Sequence, residues 1–415
     1  MWIPLVTLVV CCKRHTVEKS QHENTGYLWS RLGKSSQKEL ASVRKTLVIL
    51  GTGWGSYSVL KSINKQLYDV IVVSPRNHFL FTPLLCSTTT GTLEFRSIIE
   101  PVRNSGFRQT NHFHQAEATS VDLNKKQLTC SSVFHPYLTY TLNYDKLVIG
   151  VGALNNTFNV RGVNEHAFFL KELSHARQIR NRILSNFELA VQPEIDEEEQ
   201  KRLLHTVIVG GGPTGVEFGA ELYDFFVQDV SRLYRKCEKL VQVTLIESNK
   251  ILSSFDKRLQ SYAEKKIKER DRFNLVQSSV TEVKTNSVTL ADGKILPCGL
   301  VVWSTGLAPR PFTHSIDVPK NKQGQILTNE YLQVLGDSSG SAYALGDCAE
   351  IRKLPLPCTA QVAERQGRYL AHCLNNVTSV NQLQPFQFKS MGMLAYIGGY
   401  KALSDLPEVK LQGKI

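Results

Sequence analysis

One Gly-rich turn occurs twice in this chain, each time between an apolar run and a helix-forming run. Residues 207–221 read Val-Ile-Val-Gly-Gly-Gly-Pro-Thr-Gly-Val-Glu-Phe-Gly-Ala-Glu, and residues 47–56 read Leu-Val-Ile-Leu-Gly-Thr-Gly-Trp-Gly-Ser. Each apolar run has the pattern of a parallel strand buried on both faces. The small residues then have separable tasks. Gly51 and Gly210 allow the tight turn, Gly53 and Gly212 let backbone approach a pyrophosphate, and Ser56 and Gly215 let helix and strand pack closely. The helix behind the turn offers unpaired N–H groups and a positive dipole end to phosphate. One such turn is often only a strand–turn–helix. Two predict two dinucleotides on one polypeptide, most economically a flavin on the first and a nicotinamide on the second, with a hydride passed between them.

The pattern along the chain predicts an α/β protein of two Rossmann-like dinucleotide-binding domains, the second inserted into the first. Strands are predicted at 46–50 and 69–74 with a helix from Ser56 to Leu67, and a further strand over 142–152 ends in the glycine pair Gly150 and Gly152. Residues 170–190 read as a helix, and Glu194 to Glu199 as a solvated connection or helix start. The second fold starts at Leu204, with its second strand at 241–246. Residues 274–302 read as a small antiparallel region with a turn at Ala291-Asp292-Gly293, followed by a return strand. A strand at 342–346 and a helix at 359–374 return to the first fold. The division expected is a basic extension over 1–45, a first domain over 46–200 and 303–380, a second over 201–302, and a C-terminal region over 381–415.

The 415 residues, 42% apolar and 21% charged, suffice for two or three domains with a large core. No run of 18 apolar residues predicts a transmembrane helix. The net charge of +12 favours an anionic partner. Its basic residues are scattered and form no nucleic-acid module, so lipid headgroups fit better than nucleic acid. Residues 13–45 carry eight Lys or Arg against three Glu, loosely an organellar presequence. The nine cysteines show no CxxC pair and no metal-ligand spacing, which predicts a reduced, intracellular, metal-free chain.

An acidic residue at the end of the second strand of such a fold binds a ribose 2′-hydroxyl. In the second fold it is Glu247, 37 residues after Gly210; the length beyond the usual spacing fits the helical stretch 224–240. A carboxylate there repels a 2′-phosphate and favours NADH over NADPH. The matching position of the first fold is Ser74, which has no acid.

Further segments carry a resemblance. They are Ser-Pro-Arg at 74–76, Phe-Leu-Phe-Thr-Pro-Leu-Leu at 79–85, Ser-Ile-Ile-Glu-Pro at 97–101, Phe-Leu-Lys-Glu at 169–172, Trp-Ser-Thr-Gly at 303–306, Ala-Leu-Gly-Asp at 344–347 and Thr-Ala-Gln-Val-Ala at 359–363. With the two Gly-rich turns and in this order, the chain resembles the type II (alternative, non-pumping) NADH:quinone oxidoreductases of mitochondrial type.

The resemblance implies that Gly51, Gly53, Trp54 and Gly55 hold the FAD pyrophosphate. It implies that Ser74, Pro75, Arg76, Phe81, Thr82, Pro83 and Leu84 line the flavin, with Ala118 and Gly152 at the same cofactor and Gly346 and Asp347 on its ribityl and phosphate region. Gly210, Gly211, Gly212, Pro213, Thr214 and Gly215 bind NADH, and Thr305 and Gly306 close over the nicotinamide. Glu217 sits where the cofactors meet, positioning the nicotinamide or relaying a proton to quinone; Ala360 and Gln361 begin a quinone motif, Ala-Gln-x-Ala-x-Gln. Arg365 stands at that motif's second Gln, with Gln366 one residue later. The implied protein is a peripheral enzyme of the mitochondrial inner membrane, and the resemblance allows a homodimer.

Relatives of this kind continue past the Gly-Met-Leu-Ala-Tyr-Ile-Gly segment at 392–398 into an amphipathic tail that docks on the membrane, whereas this sequence ends at Ile415. The expectation from that ending is intact flavin and NADH sites with weakened membrane docking and quinone access. The alternatives are another FAD- and NAD(P)H-dependent quinone reductase, or a catalytically impaired dinucleotide-binding protein. Disulfide reductases and sulfide:quinone reductases need paired cysteines at the flavin, and no suitable pair occurs. Cys86, 35 residues after Gly51, lies where some peroxidases place a redox thiol, but its sequence context is that of the quinone reductases.

Overall fold

The structure is a computed structural model that describes residues 44–106, 110–376 and 383–414. The extension expected over 1–45 lies almost wholly outside the described residues.

Two five-stranded parallel sheets organise the chain. In the first the order is Ala342–Ala344, Lys146–Ile149, Lys45–Leu50, Tyr68–Val73, Phe113–His114. In the second it is Phe168–Phe169, Leu300–Trp303, His205–Val209, Gln242–Glu247, Phe273–Gln277. The central strands read as continuous apolar runs because both faces are covered. Leu47 and Ile49 face Tyr57, Leu60, Leu370 and Leu374. Val48 and Leu50 face Leu128, Leu147 and Phe312. In the second sheet Ile208 packs with Phe218 and Leu222, while Val207 and Val209 pack with Val283 and Trp303. Each such side chain contributes about 1.5–3 kcal/mol on burial.

The first sheet is closed by a strand from far down the chain. The chain leaves it after Ile149, builds the second sheet, and returns with Ala342–Ala344 beside Lys146–Ile149. The insertion expected from sequence is therefore the observed topology. Phe168–Phe169, upstream of Leu204, supplies the edge strand of the second sheet.

Three local elements differ from their sequence reading. The first helix spans Trp54–Ser62 and stops short of Leu67, because Asn375 of a neighbouring helix takes the Asn64 backbone N–H at 2.8 Å. The stretch 142–152 splits into Thr139–Asn143, a turn, and Lys146–Ile149, because Asp145 turns back to accept from the Thr46 N–H at 2.7 Å. Phe273–Gln277 joins the parallel sheet, and the antiparallel region is confined to Val280–Pro297.

The helix Ala360–Asn375 begins at Thr359, whose hydroxyl accepts from Val362 N at 3.3 Å. It crosses the helix Trp54–Ser62 so closely that a Cβ on Gly367 would meet the Gly55 carbonyl oxygen at 2.3 Å. A three-stranded antiparallel sheet, Met393–Gly398, Lys401–Asp405 and Lys410–Lys414, completes the fold. No helix among the described residues is long and apolar enough to cross a membrane.

Candidate active site

The two Gly-rich turns use the same backbone device. Gly51 has φ +90° and Gly210 φ +113°, conformations that side-chain-bearing residues rarely adopt. A Cβ on Gly51 would lie 2.4 Å from the Gly150 carbonyl oxygen; on Gly210 it would lie 2.8 Å from the Thr305 Cβ. The middle glycines differ: a Cβ on Gly53 meets only an Arg76 nitrogen at 4.0 Å, and one on Gly212 meets nothing within 4 Å. These are the open faces a pyrophosphate needs. In the first turn close packing falls to Gly55, against Leu345, and to Ser56, whose hydroxyl donates to the Leu50 carbonyl at 2.7 Å. In the second turn Gly215 packs directly on the Gly210 carbonyl.

Around the first turn the residues named from sequence come together. Trp54 Nε1 donates to Thr82 Oγ1 at 3.0 Å, and its ring lies 5.3 Å from Phe81 and 5.0 Å from Phe79. Thr82–Leu84 is a single 3-10 turn opened by Pro83. Ser74 is buried and accepts from Arg76 N at 3.2 Å, and the Pro75 carbonyl accepts from Gln115. Arg76 donates from Nε to Thr52 Oγ1 and from Nη1 to Glu172 at 2.6 Å. Gly346 has φ +72° and donates its N–H to Gln366 Oε1 at 2.8 Å; Asp347 lies 3.6 Å from Lys171 Nζ. Gly152, at φ +67°, faces open space. Ala118 sits farther along, on the strand Ala116–Asp122 paired to Cys130.

Around the second turn, Glu247 ends its strand and accepts from Gly211 N at 2.7 Å and Asn249 N at 2.9 Å. The π turn Phe226–Val230 behind the helix Pro213–Phe225 accounts for part of its long spacing from Gly210. Thr305 abuts Gly210, and the Gly306 carbonyl accepts from Asn156 N at 3.3 Å. Cys86 lies against the Thr214 carbonyl at 3.5 Å.

Glu217 projects from the first turns of that helix. The residue is half-buried, and its carboxyl accepts from Tyr396 N at 3.4 Å. Burial, with a smaller push from Glu221, raises it to about 8; a backbone N–H from Tyr396 pulls the other way. Glu221 is also raised by burial and accepts from Ser87 at 2.8 Å and Thr92 at 2.9 Å. Burial, with Glu217 and Glu221 nearby, pushes the Cys86 thiol well up. A thiol held protonated is a poor nucleophile.

The match to known proteins covers the same ground. Residues 45–367 match the pyridine nucleotide-disulphide oxidoreductase family. An internal alternative NAD(P)H-ubiquinone oxidoreductase A1 of Solanum tuberosum mitochondria is 44% identical over 388 residues, covering 88% of this chain and 78% of its own length. The chain belongs to the alternative, type II NAD(P)H–ubiquinone oxidoreductases. The external NADH-ubiquinone oxidoreductase 2 of Saccharomyces cerevisiae mitochondria is 41% identical, over 88% of this chain and 73% of its own. Among solved structures, NDH2 of Plasmodium falciparum in complex with NADH superposes with a TM-score of 0.85 at 28% identity, covering 89% of this chain and 92% of that one.

In this type II oxidoreductase Gln361 is already engaged: its Oε1 accepts from Met391 N at 2.9 Å. Arg365, at the motif's second Gln, is turned toward solvent. Its guanidinium is about half exposed and donates to the Met391 sulfur at 2.8 Å. Sequence reasoning missed Glu172, which joins Arg76 and approaches Arg310 at 3.9 Å, and Gln366, which holds Gly346. It also missed Glu221, although Glu217, Glu221 and Asp224 recur at the spacing of one helix face, a legible signal.

Proposed function

We propose that this chain oxidises NADH through FAD and reduces a ubiquinone-type quinone in the mitochondrion, without pumping protons. The observation that carries it is the pairing of two open-faced dinucleotide turns in one nested fold, with a protonatable carboxyl beside the second. FAD, when bound, supplies the two-electron chemistry that links hydride donor to quinone.

The residues divide as follows. The domain over 46–200 and 303–380 takes FAD: Gly51, Gly53 and Gly55 admit its pyrophosphate, Arg76 offsets phosphate charge while Glu172 fixes its guanidinium, and Gly346 and Asp347 hold the polyol region. The domain over 201–302 takes NADH on Gly210 to Gly215, with Glu247 toward the ribose. Thr305 and Gly306 bound the nicotinamide end. NADH brings a hydride, so each quinol formed needs one further proton from solvent. Glu217, protonated near neutral pH, is suited to hold that proton. Gln361 keeps its amide NH₂ as a donor to a quinone carbonyl.

The enzyme acts as a peripheral protein on the inner membrane. The C-terminal sheet exposes Leu394 and Leu411, in register across Ser404, an apolar pair on one face that suits a lipid surface. A homodimer belongs to the same reading and is tested by sedimentation. The functional test is spectroscopic. The purified chain should show a flavin band that bleaches with NADH anaerobically and returns with a short-chain quinone. A chain without flavin would sink this reading.

A further inference from the structure

The C-terminal sheet touches the helix Pro213–Phe225 at both ends of its carboxylate row. At the far end Asp224 accepts from the Tyr396 hydroxyl at 2.6 Å and from Gly399 N at 2.9 Å. At the near end the Tyr396 backbone N–H donates to Glu217 Oε1 at 3.4 Å. Asp224 is seven residues from Glu217, about 10 Å along the helix. It lies outside the reacting centre and is joined to it through the shared helix and through the strand Met393–Gly398. Arg270 seals the same strand: it donates to the Ile397 carbonyl and stacks on Tyr223, 5.0 Å to the ring centre.

We propose that Tyr396 and Asp224 are positioning residues for the reaction: together they latch the C-terminal strand to the helix so that the Tyr396 N–H stays on the Glu217 carboxyl. This rests on the reading that Glu217 serves the junction of the two cofactors. The Tyr396–Glu217 bond is long, so a small movement of the strand removes it, and the hydroxyl–carboxylate bond at the other end restrains that movement together with Gly399 N on Asp224 and Arg270 on the Ile397 carbonyl. The groups facing Glu217 are Glu221 on its own helix, the Cys86 thiol from the helix Leu85–Thr89, and Tyr396 from the sheet. The charges facing the latch are Glu221, Asp224 and Arg270. Only the Tyr396 N–H favours ionised Glu217; burial and Glu221 oppose it. Loss of that N–H with the carboxyl still enclosed therefore raises the affinity of Glu217 for its proton.

The test is Tyr396→Phe, which keeps the ring, the backbone N–H and the Asp224 charge and deletes only the hydroxyl. The alkaline limb of the rate–pH profile should move up by about half a unit or more. The infrared band of the protonated Glu217 carboxyl, followed by titration of the resting flavin-loaded protein without turnover, should persist to the same higher pH. Asp224→Ala should act in the same direction, less strongly because it also removes a neighbouring negative charge. Asp224→Asn keeps an acceptor oxygen and should recover part of the effect. In a Glu217→Gln background Tyr396→Phe should leave the profile unmoved. A Tyr396→Phe protein that loses thermal stability but keeps both midpoints overturns the proposal. A Glu217→Gln protein that keeps the wild-type profile overturns instead the role of Glu217, and the infrared titration still decides the latch.

Discussion

The two nucleotide folds share a backbone device and differ in the chemistry around it. Where the second strand of the first fold ends, Ser74 turns inward and Arg76 stands beside the loop. At the same place in the second fold stands Glu247, with its carboxylate on the loop's own Gly211 N–H. Seven residues past the first glycine the first fold has Ser58 and the second has Glu217. The glycines therefore report only that a dinucleotide binds. Which one binds, and what the site does with protons, is written in the side chains around them.

The largest effect should come from the tighter turn. Gly51→Ala forces a Cβ onto a backbone carbonyl and adds the left-handed penalty of about 1–2 kcal/mol per residue. It should purify with at least tenfold less bound flavin, read from absorbance. Gly210→Ala meets the Thr305 Cβ at 2.8 Å and the Ser304 carbonyl oxygen at 3.1 Å, a less severe overlap, and should weaken NADH binding less, while keeping flavin. Equal losses would break the distinction between the two turns.

Next comes the pH dependence of stability. The folded Glu217 is raised from the ordinary 4.5 to about 8, so folding takes up a proton across that window. Glu217's contribution is intact below about pH 4.5 and is lost as pH rises toward 8. Glu217→Gln should match wild type in Tm near pH 5 and exceed it at pH 8.5. Parallel Tm curves would refute the burial argument.

Glu247→Ala should raise the KM for NADH roughly tenfold, the equivalent of about 1.4 kcal/mol, and narrow the preference over NADPH. An unchanged ratio of kcat/KM values for the two would place the discrimination elsewhere. The smallest effect belongs to the matching residue of the first fold. Ser74→Ala removes the hydroxyl's bonds to Arg76 N and Thr52 Oγ1 and should cost about 1 kcal/mol in chemical denaturation, with little change in NADH KM.

Sequence legibility followed range. Both parallel sheets were readable because Leu47–Leu50 and Val207–Val209 are unbroken apolar runs next to glycines whose strain is local. Glu247 was readable because strand ends recur at a fixed place in the fold. The first helix end was not, since it is set by Asn375, 311 residues away. Arg76 was legible as a motif residue, but its partner Glu172 lies 96 residues on and is brought in by the second sheet's edge. Tyr396 gave no signal, because its N–H contact with Glu217 arises from docking of the C-terminal sheet.

The nesting of the folds also governs how the protein is made. The edge of Lys146–Ile149 stays open until Ala342–Ala344 emerges from the ribosome, and Gly346 and Asp347 follow only then. The second fold can thus mature on a nascent chain whose first sheet is unfinished. Such a chain carries an unpaired edge on a strand that is apolar from Leu147 to Ile149, a hazard for misassembly. Closing that edge waits for the last strand of the first sheet to be synthesised.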